Sequence, residues 1–198
     1  MNVCIVQTGT ANTASMKAAL QRAGAEVTIT ADATAVRSAP VVVLPGVGSF
    51  ASGMAAMEGD LGEAIRERVA SRRPLLAVCL GLQLLCERSH ESPGVAGLGL
   101  IAGTLERFES VVVPQLGWNQ VTPSTSCQLL RSGYAYFANS YRLTSVDGWA
   151  AAESDHGGSF VAAVECGPVL GCQFHPELSG AWGQSLIERW LEEGSASC

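Results

Sequence analysis

Residues 72–89 read RRPLLAVCLGLQLLCERS, and this stretch decides the fold. Pro74 opens a continuously apolar run that ends at Cys79, the pattern of a strand buried on both faces. After Gly81 the residues read like the first turns of a helix. A strand that bends sharply into a helix lifts one side chain clear of the sheet, beside the helix amino terminus. Unpaired amides and the helix dipole favour a thiolate there and can also hold an oxyanion. Thiol pKa values in such surroundings fall from about 8.5 to roughly 3.5–7.5. Gly81 permits close approach of another backbone or of a substrate. The arrangement parallels the Gly-x-Ser-x-Gly elbow of hydrolases, with Ala77 in place of the first glycine. A core thiol at a strand end is the competing explanation.

Working outward, the first 90 residues alternate strand-like and helix-like patterns. NVCIVQ reads as a buried strand. Asn12 is a candidate cap for a helix running to about Arg22, with Met16, Ala19, Leu20 and Ala23 on one face and Gly24 ending it. EVTIT reads as a strand, residues 32–38 as a short helix capped by Asp32, and APVVVLPGVGSF as a strand stopping at Pro45 in a glycine turn. Asp60 and Glu63 resemble a capping box ahead of AIRERVASR. Strands alternating with helices predict a parallel sheet covered on both faces. From residue 98 the texture changes to successive short strands, LGLIAGTLERF, VVVPQLGWNQV, YAYFANSYRL, WAAAES, FVAAVEC and VLGCQFHPE. A last helix, SGAWGQSLIERWLEE, is expected to pack on the sheet through Trp182, Leu186, Ile187 and Trp190. The expectation is one α/β domain over residues 1–198, with antiparallel strands in its second half.

Composition narrows the function classes. The chain has 198 residues, of which 47% are apolar and 15% charged, as in a compact globule rather than a disordered chain. No apolar run approaches the roughly 20 residues that span a bilayer. MNVCIVQTG has no basic segment ahead of its apolar stretch, so a cytosolic location is expected and no membrane partner. The net charge is −6, and Lys17 is the only lysine beside eleven scattered arginines. A phosphate-backbone binder needs a basic face, so nucleic acid is not an expected partner. The seven cysteines (Cys4, Cys79, Cys86, Cys127, Cys166, Cys172 and Cys198) include no Cys-x-x-Cys pair. Neither a disulfide framework nor a zinc site is expected, no cofactor is called for, and buried thiols are the default for most of them.

A thiol nucleophile needs a base, and three histidines are present. His90 in ERSHESPG and His156 in SDHGG lie in polar, loop-like contexts. His175 closes the apolar run PVLGCQF and precedes Pro176, which favours extended geometry at residue 175. Residues two apart on an extended segment share a face, so Glu177 is expected beside the imidazole, holding its orientation. A strand-end His–Glu pair with only structural value is the alternative. Cys79, His175 and Glu177 together make a nucleophile, base and orienter. Glycines in LPGVGSF follow a buried strand at the end of the sheet where such folds bind ligands. Amides around Gly46, Val47 and Gly48 could join that of Leu80 in an oxyanion hole, although an ordinary tight turn explains this motif taken alone.

These residues resemble a known family. CLGLQLL, QFHPE and LPGVG, in the chain order LPGVG, CLGLQLL, QFHPE, are similar to class I glutamine amidotransferases with a Cys-His-Glu triad. TGTANTASMKAAL, PGVGSFASGM, GWN, AYFANSY and QFHPELSG resemble, within that family, glutaminases that pass ammonia to a (β/α)-barrel cyclase in histidine biosynthesis. The resemblance implies a flavodoxin-like fold with a mixed, mainly parallel sheet flanked by helices. It implies hydrolysis of glutamine to glutamate and ammonia within a heterodimeric hydrolase and lyase complex. By that likeness Cys79 is the nucleophile, His175 the acid/base and Glu177 its orienter, while Gln83, Ser140 and Tyr141 help bind glutamine. Asn12, Trp118 and Asn119 are candidates for the partner interface, a buried Trp118 being equally compatible with the sequence. The chain departs from the family's common residues at Gln7, Gln115, Asn139 and Leu178, where an acidic residue, two histidines and a basic residue are usual. A glutaminase serving another ammonia-using synthase and a non-catalytic partner protein are the alternative readings.

Overall fold

The protein is described by a computed structural model covering residues 1–9, 13–110 and 112–196. Its first half interleaves strands and helices: β1 (Asn2–Val6), α1 (Thr13–Arg22), β2 (Glu26–Thr30), α2 (Ala33–Ser38) and β3 (Val41–Gly46). Next come α3 (Phe50–Ala56), α4 (Asp60–Ala70), β4 (Leu75–Cys79) and α5 (Leu80–Leu85). The second half supplies β5 (Cys86–Ser89), β6 (Ile101–Arg107), β7 (Gln115–Pro123), β8 (Gly133–Asn139) and β9 (Tyr141–Arg142). It ends with β10 (Ala150–Asp155), β11 (Ser159–Cys166), β12 (Val169–Cys172), a 3₁₀ turn (Pro176–Leu178) and α6 (Gly180–Ala196).

Nine strands form the main sheet in the order β2-β1-β3-β4-β12-β11-β10-β7-β8. The pairings from β2 through β12 are parallel. Those from β12 through β8 are antiparallel, so the antiparallel share is half, larger than the sequence suggested. A small second sheet runs β5-β6-β9. The β-branched runs of β3 and the apolar run of β4 are buried at every residue, because helices cover both faces of the parallel half. One apolar cluster packs α1 and α6 on the sheet through Met16, Leu20, Leu186, Ile187 and Trp190, with Trp182 partly buried at its margin. A second cluster fills the opposite face with Leu61, Ile65 and Leu84 from α4 and α5. Among the described residues, no helix is long and apolar enough to cross a membrane.

The decisive topological step is the return of the chain to β4. β12 inserts beside it in parallel, with Cys172 opposite Val78. The residues following both strands therefore emerge at the same edge of the sheet.

Several local expectations change. Asp32 does cap α2, its side chain accepting from the Thr34 amide. The start of α4 has no capping box, because Gly59 occupies the cap and Asp60 is already helical, while Glu63 pairs with Arg66 at 2.6 Å. β3 continues through Pro45 to Gly46, and the glycine turn leads at once into α3, capped by Ser49. Nothing in FASGMAA marks that helix by apolar period. The helix after Cys79 is only six residues long and gives way to β5. Val111 and Asn12, the residue expected to cap α1, lie outside the described residues, and β7 begins at Gln115.

Candidate active site

Cys79 occupies the bend between β4 and α5 with φ 54° and ψ −111°, a backbone conformation that costs a non-glycine residue about 1–3 kcal/mol. The surrounding packing holds it. Gly46 at the end of β3 is the register partner of Cys79. A Cβ on Gly81 would stand 2.0 Å from the Leu44 carbonyl oxygen, and one on Gly46 would stand 2.8 Å from the Leu80 Cβ. Two glycines thus let the end of β3 press against the start of α5, backbone to backbone. With α5 so short, one specific donor and one acceptor face the sulfur instead of a long helix dipole. The Gln173 amide nitrogen lies 3.7 Å from the Cys79 sulfur, and the thiol points toward the Ala138 carbonyl at 4.0 Å.

His175 lies beyond β12, and its side chain lines the same cavity as Cys79. Its Nδ1 is 2.8 Å from Oε1 of Glu177, and the two side chains are only 10% and 7% exposed. The extended geometry expected before proline is present at His175 (φ −99°, ψ 96°). Glu177, however, reaches the ring from the 3₁₀ turn and not from an extended segment. The backbone is pinned on both sides. The His175 amide donates to the Tyr136 carbonyl at 2.8 Å, while the Ser179 hydroxyl donates to the His175 carbonyl at 2.6 Å and accepts from the Tyr136 amide at 3.0 Å. Burial by itself would lower the imidazole pKa. Hydrogen bonds and charge at Cys79 and Glu177 outweigh it and raise the value to about 10. The ring is therefore an imidazolium at neutral pH. The second Glu177 oxygen, Oε2, is buried without a hydrogen-bond partner.

A cavity of about 330 Å³ opens onto Cys79 and His175. Gln83, Ser140 and Tyr141 line it, as do Val47, Gly48 and Leu80, so most of the residues singled out from sequence converge here. Gly46 lies instead on a smaller cavity of about 190 Å³ behind His175, together with Glu177, Tyr136 and Leu178. Gln115 and Asn139, two positions departing from the family's common residues, are cross-strand partners on β7 and β8. Asn139 lines the larger cavity and donates to the Tyr141 carbonyl at 3.0 Å.

Sequence reasoning missed Glu91, Gln173 and Ser179. Glu91 lines the cavity and accepts from the Phe50 amide at 2.6 Å, tying down the start of α3 directly after the PGVG segment. Only its carboxylate charge, within a polar loop, could have drawn attention to it. Gln173 stands two residues before His175, and strand alternation would have placed both on one face.

The remaining candidates separate clearly. Cys86 and Cys172 are core thiols, the first pushed up to about 12 and the second well above its ordinary range by burial. His156 contacts the Val112 carbonyl and the Phe108 ring. His90 lines a separate cavity with Arg88 and Thr104. Trp118 is 59% exposed, edge-on to Tyr136 with ring centroids 6.3 Å apart, so it does not belong to the core. Asn119 is half-buried and donates to the Asp155 carbonyl. Among the described residues, no group of three or more His, Cys, Asp or Glu side chains is placed to hold a metal ion.

Residues 4–193 match the family described as glutamine amidotransferase class-I. The chain belongs to that family. This amidotransferase is 38% identical over 194 residues to the imidazole glycerol phosphate synthase subunit HisH of Methanothermobacter thermautotrophicus, a match covering 96% of this chain and 98% of the relative. It is 39% identical over 199 residues to the HisH subunit of Escherichia coli K12, covering 97% of this chain and all of the relative. A crystal structure of a glutamine amidotransferase superposes with a TM-score of 0.78 at 22% identity, over 98% of both chains. The PurLQS structure from Thermotoga maritima gives 0.74 at 17% identity, over 96% of this amidotransferase and 97% of that chain. These two likenesses show the shared fold.

Proposed function

We propose that the chain is the glutaminase subunit of imidazole glycerol phosphate synthase, releasing ammonia from glutamine for a (β/α)-barrel cyclase that it binds as a heterodimer. The observation that carries the glutaminase reading is the buried His175–Glu177 pair beside a cysteine held at a strained bend, over a cavity sized for one amino acid. The full-length likeness to HisH subunits supports the choice of synthase.

Glutamine enters with its side-chain amide toward Cys79. Glu91, an anionic group on the cavity wall, faces the substrate's ammonium group, and Gln83, Ser140 and Tyr141 contact its polar atoms. The Cys79 thiolate attacks the amide carbon, and amides of the Gly46–Gly48 segment and of Leu80 hold the developing oxyanion. The His175 imidazolium donates its proton to the departing nitrogen. Ammonia leaves and a glutamyl thioester remains.

Acylation also removes the negative sulfur that helps to raise the His175 pKa. The ring, neutral after protonating ammonia, is no longer driven to recapture a proton by an adjacent anion, and it accepts one from the water that cleaves the thioester. Glu177 orients the ring throughout. Leu116, Trp118 and Leu178 form an exposed apolar strip beside the site, supporting a docking face for the cyclase there; Asn119 turns to the opposite face of β7 toward the Asp155 carbonyl, and the candidate Asn12 lies outside the described residues.

Glutamine turnover alone, and with the candidate cyclase plus its ribonucleotide substrate, tests this reading. Low activity alone and marked stimulation in the complex are expected. Absence of Cys79 labelling by a glutamine-like electrophile in the assembled complex would instead identify a non-catalytic partner.

A further inference from the structure

We infer that Gln173 is a catalytic amide donor to the Cys79 sulfur, and that Gln83 positions it by fixing which end of that amide faces the nucleophile. The inference rests on the reading of Cys79 as the nucleophile. Gln173 is 1% exposed and follows β12 directly. Its backbone amide donates to the Ala162 carbonyl at 2.8 Å, so its place beside Cys79 is set by the sheet.

The polarity of the chain of amides follows from one backbone group. The Tyr141 carbonyl can only accept, and it lies 3.3 Å from the Gln83 amide nitrogen, so that end of Gln83 must be the NH₂ group. The same nitrogen lies 2.9 Å from the side-chain oxygen of Gln173. Turning the Gln173 amide over would set two donors against each other. Its NH₂ group therefore faces the Cys79 sulfur at 3.7 Å. Asn139 donates to the same Tyr141 carbonyl at 3.0 Å, which strengthens its role as an acceptor anchor.

A buried amide donor stabilises an anion more than a neutral thiol. It favours the attacking thiolate, and it favours the same thiolate as the leaving group when the thioester is cleaved. The thiol's alternative partner, the Ala138 carbonyl, can only accept. Besides Cys79, the titratable groups facing this cavity are His175, with Glu177 acting through its ring, and Glu91 and Tyr141 on the wall.

The test is the pH dependence of iodoacetamide alkylation at Cys79 in the full chain, followed by mass spectrometry of the Cys79 peptide. Gln173→Met should move the midpoint up by about one pH unit, giving roughly tenfold slower alkylation below it and a similar plateau above it. Gln173→Glu keeps the acceptor for Gln83 but turns an oxygen toward the sulfur, and should move the midpoint further. Gln83→Met, which leaves Gln173 in place but unoriented, should give a smaller upward shift and keeps the test open if the Gln173 variants do not fold. Unchanged midpoints in folded variants, judged by near-ultraviolet circular dichroism, would overturn the assignment and leave Gln173 as packing. Turnover persisting in Cys79→Ala would instead overturn the underlying reading of the nucleophile.

Discussion

Gly81 and Leu44 meet backbone to backbone: a side chain on the glycine would stand 2.0 Å from the Leu44 carbonyl oxygen. That contact seats the end of β3, and the Val47–Gly48 turn after it, against the bend carrying Cys79. Gly81→Ala must displace one of the two. The expected outcome is a stability loss of about 1–3 kcal/mol in urea unfolding, the usual range for overpacking. Glutamine turnover should fall at least tenfold, and wild-type turnover would show that the bend tolerates the movement.

The cysteines should separate by function. Cys79→Ala is expected to abolish glutamine turnover while leaving the melting temperature close to wild type. Cys86→Ala removes a fully buried thiol on the far side of α5 and should cost about 1 kcal/mol of stability with turnover nearly intact. Paired assays of melting and glutamate release distinguish them.

The His175 ring should remain protonated through neutrality, with an NMR titration midpoint near 10. Glu177→Gln should lower that midpoint by removing one of the charges that raise it. The sign for stability follows directly. The native state keeps a proton that the unfolded state releases near pH 6.5, so this contribution is complete below 6.5 and is lost as pH rises through about 10. Urea unfolding across that window should show a decline that His175→Asn flattens.

Glu91 should act mainly on glutamine binding. Glu91→Gln keeps an oxygen for the Phe50 amide but removes the charge proposed to face the ammonium group of glutamine. A charge-assisted hydrogen bond is worth about 1.5–3 kcal/mol, so KM for glutamine should rise at least tenfold with a smaller change in kcat. Equal KM values would remove Glu91 from substrate recognition.

Ser179→Ala deletes two hydrogen bonds, one buried and one partly buried, that join the His175 carbonyl to the Tyr136 amide. A loss of about 1–3 kcal/mol in stability is expected from the unpaired groups. His175 loses part of its backbone anchor, so kcat should fall more than KM rises in steady-state assays.

The sequence by itself determined the features that rest on near neighbours. The apolar run ending at Cys79, Gly81 just after it and the His175–Glu177 pair all show within a few residues, because strand period, turn chemistry and proline geometry are local. The short helix α3 was hidden because FASGMAA carries a glycine and no apolar period. Tertiary structure alone decided that β12 inserts beside β4, bringing His175 to a cysteine 96 positions earlier. It also decided that Gln173 meets Gln83, that Glu91 meets Phe50, and that Trp118 faces outward from a hairpin with aromatic residues on both faces. Such contacts depend on which strand edges pair and which face is covered, and the pattern within one segment records neither.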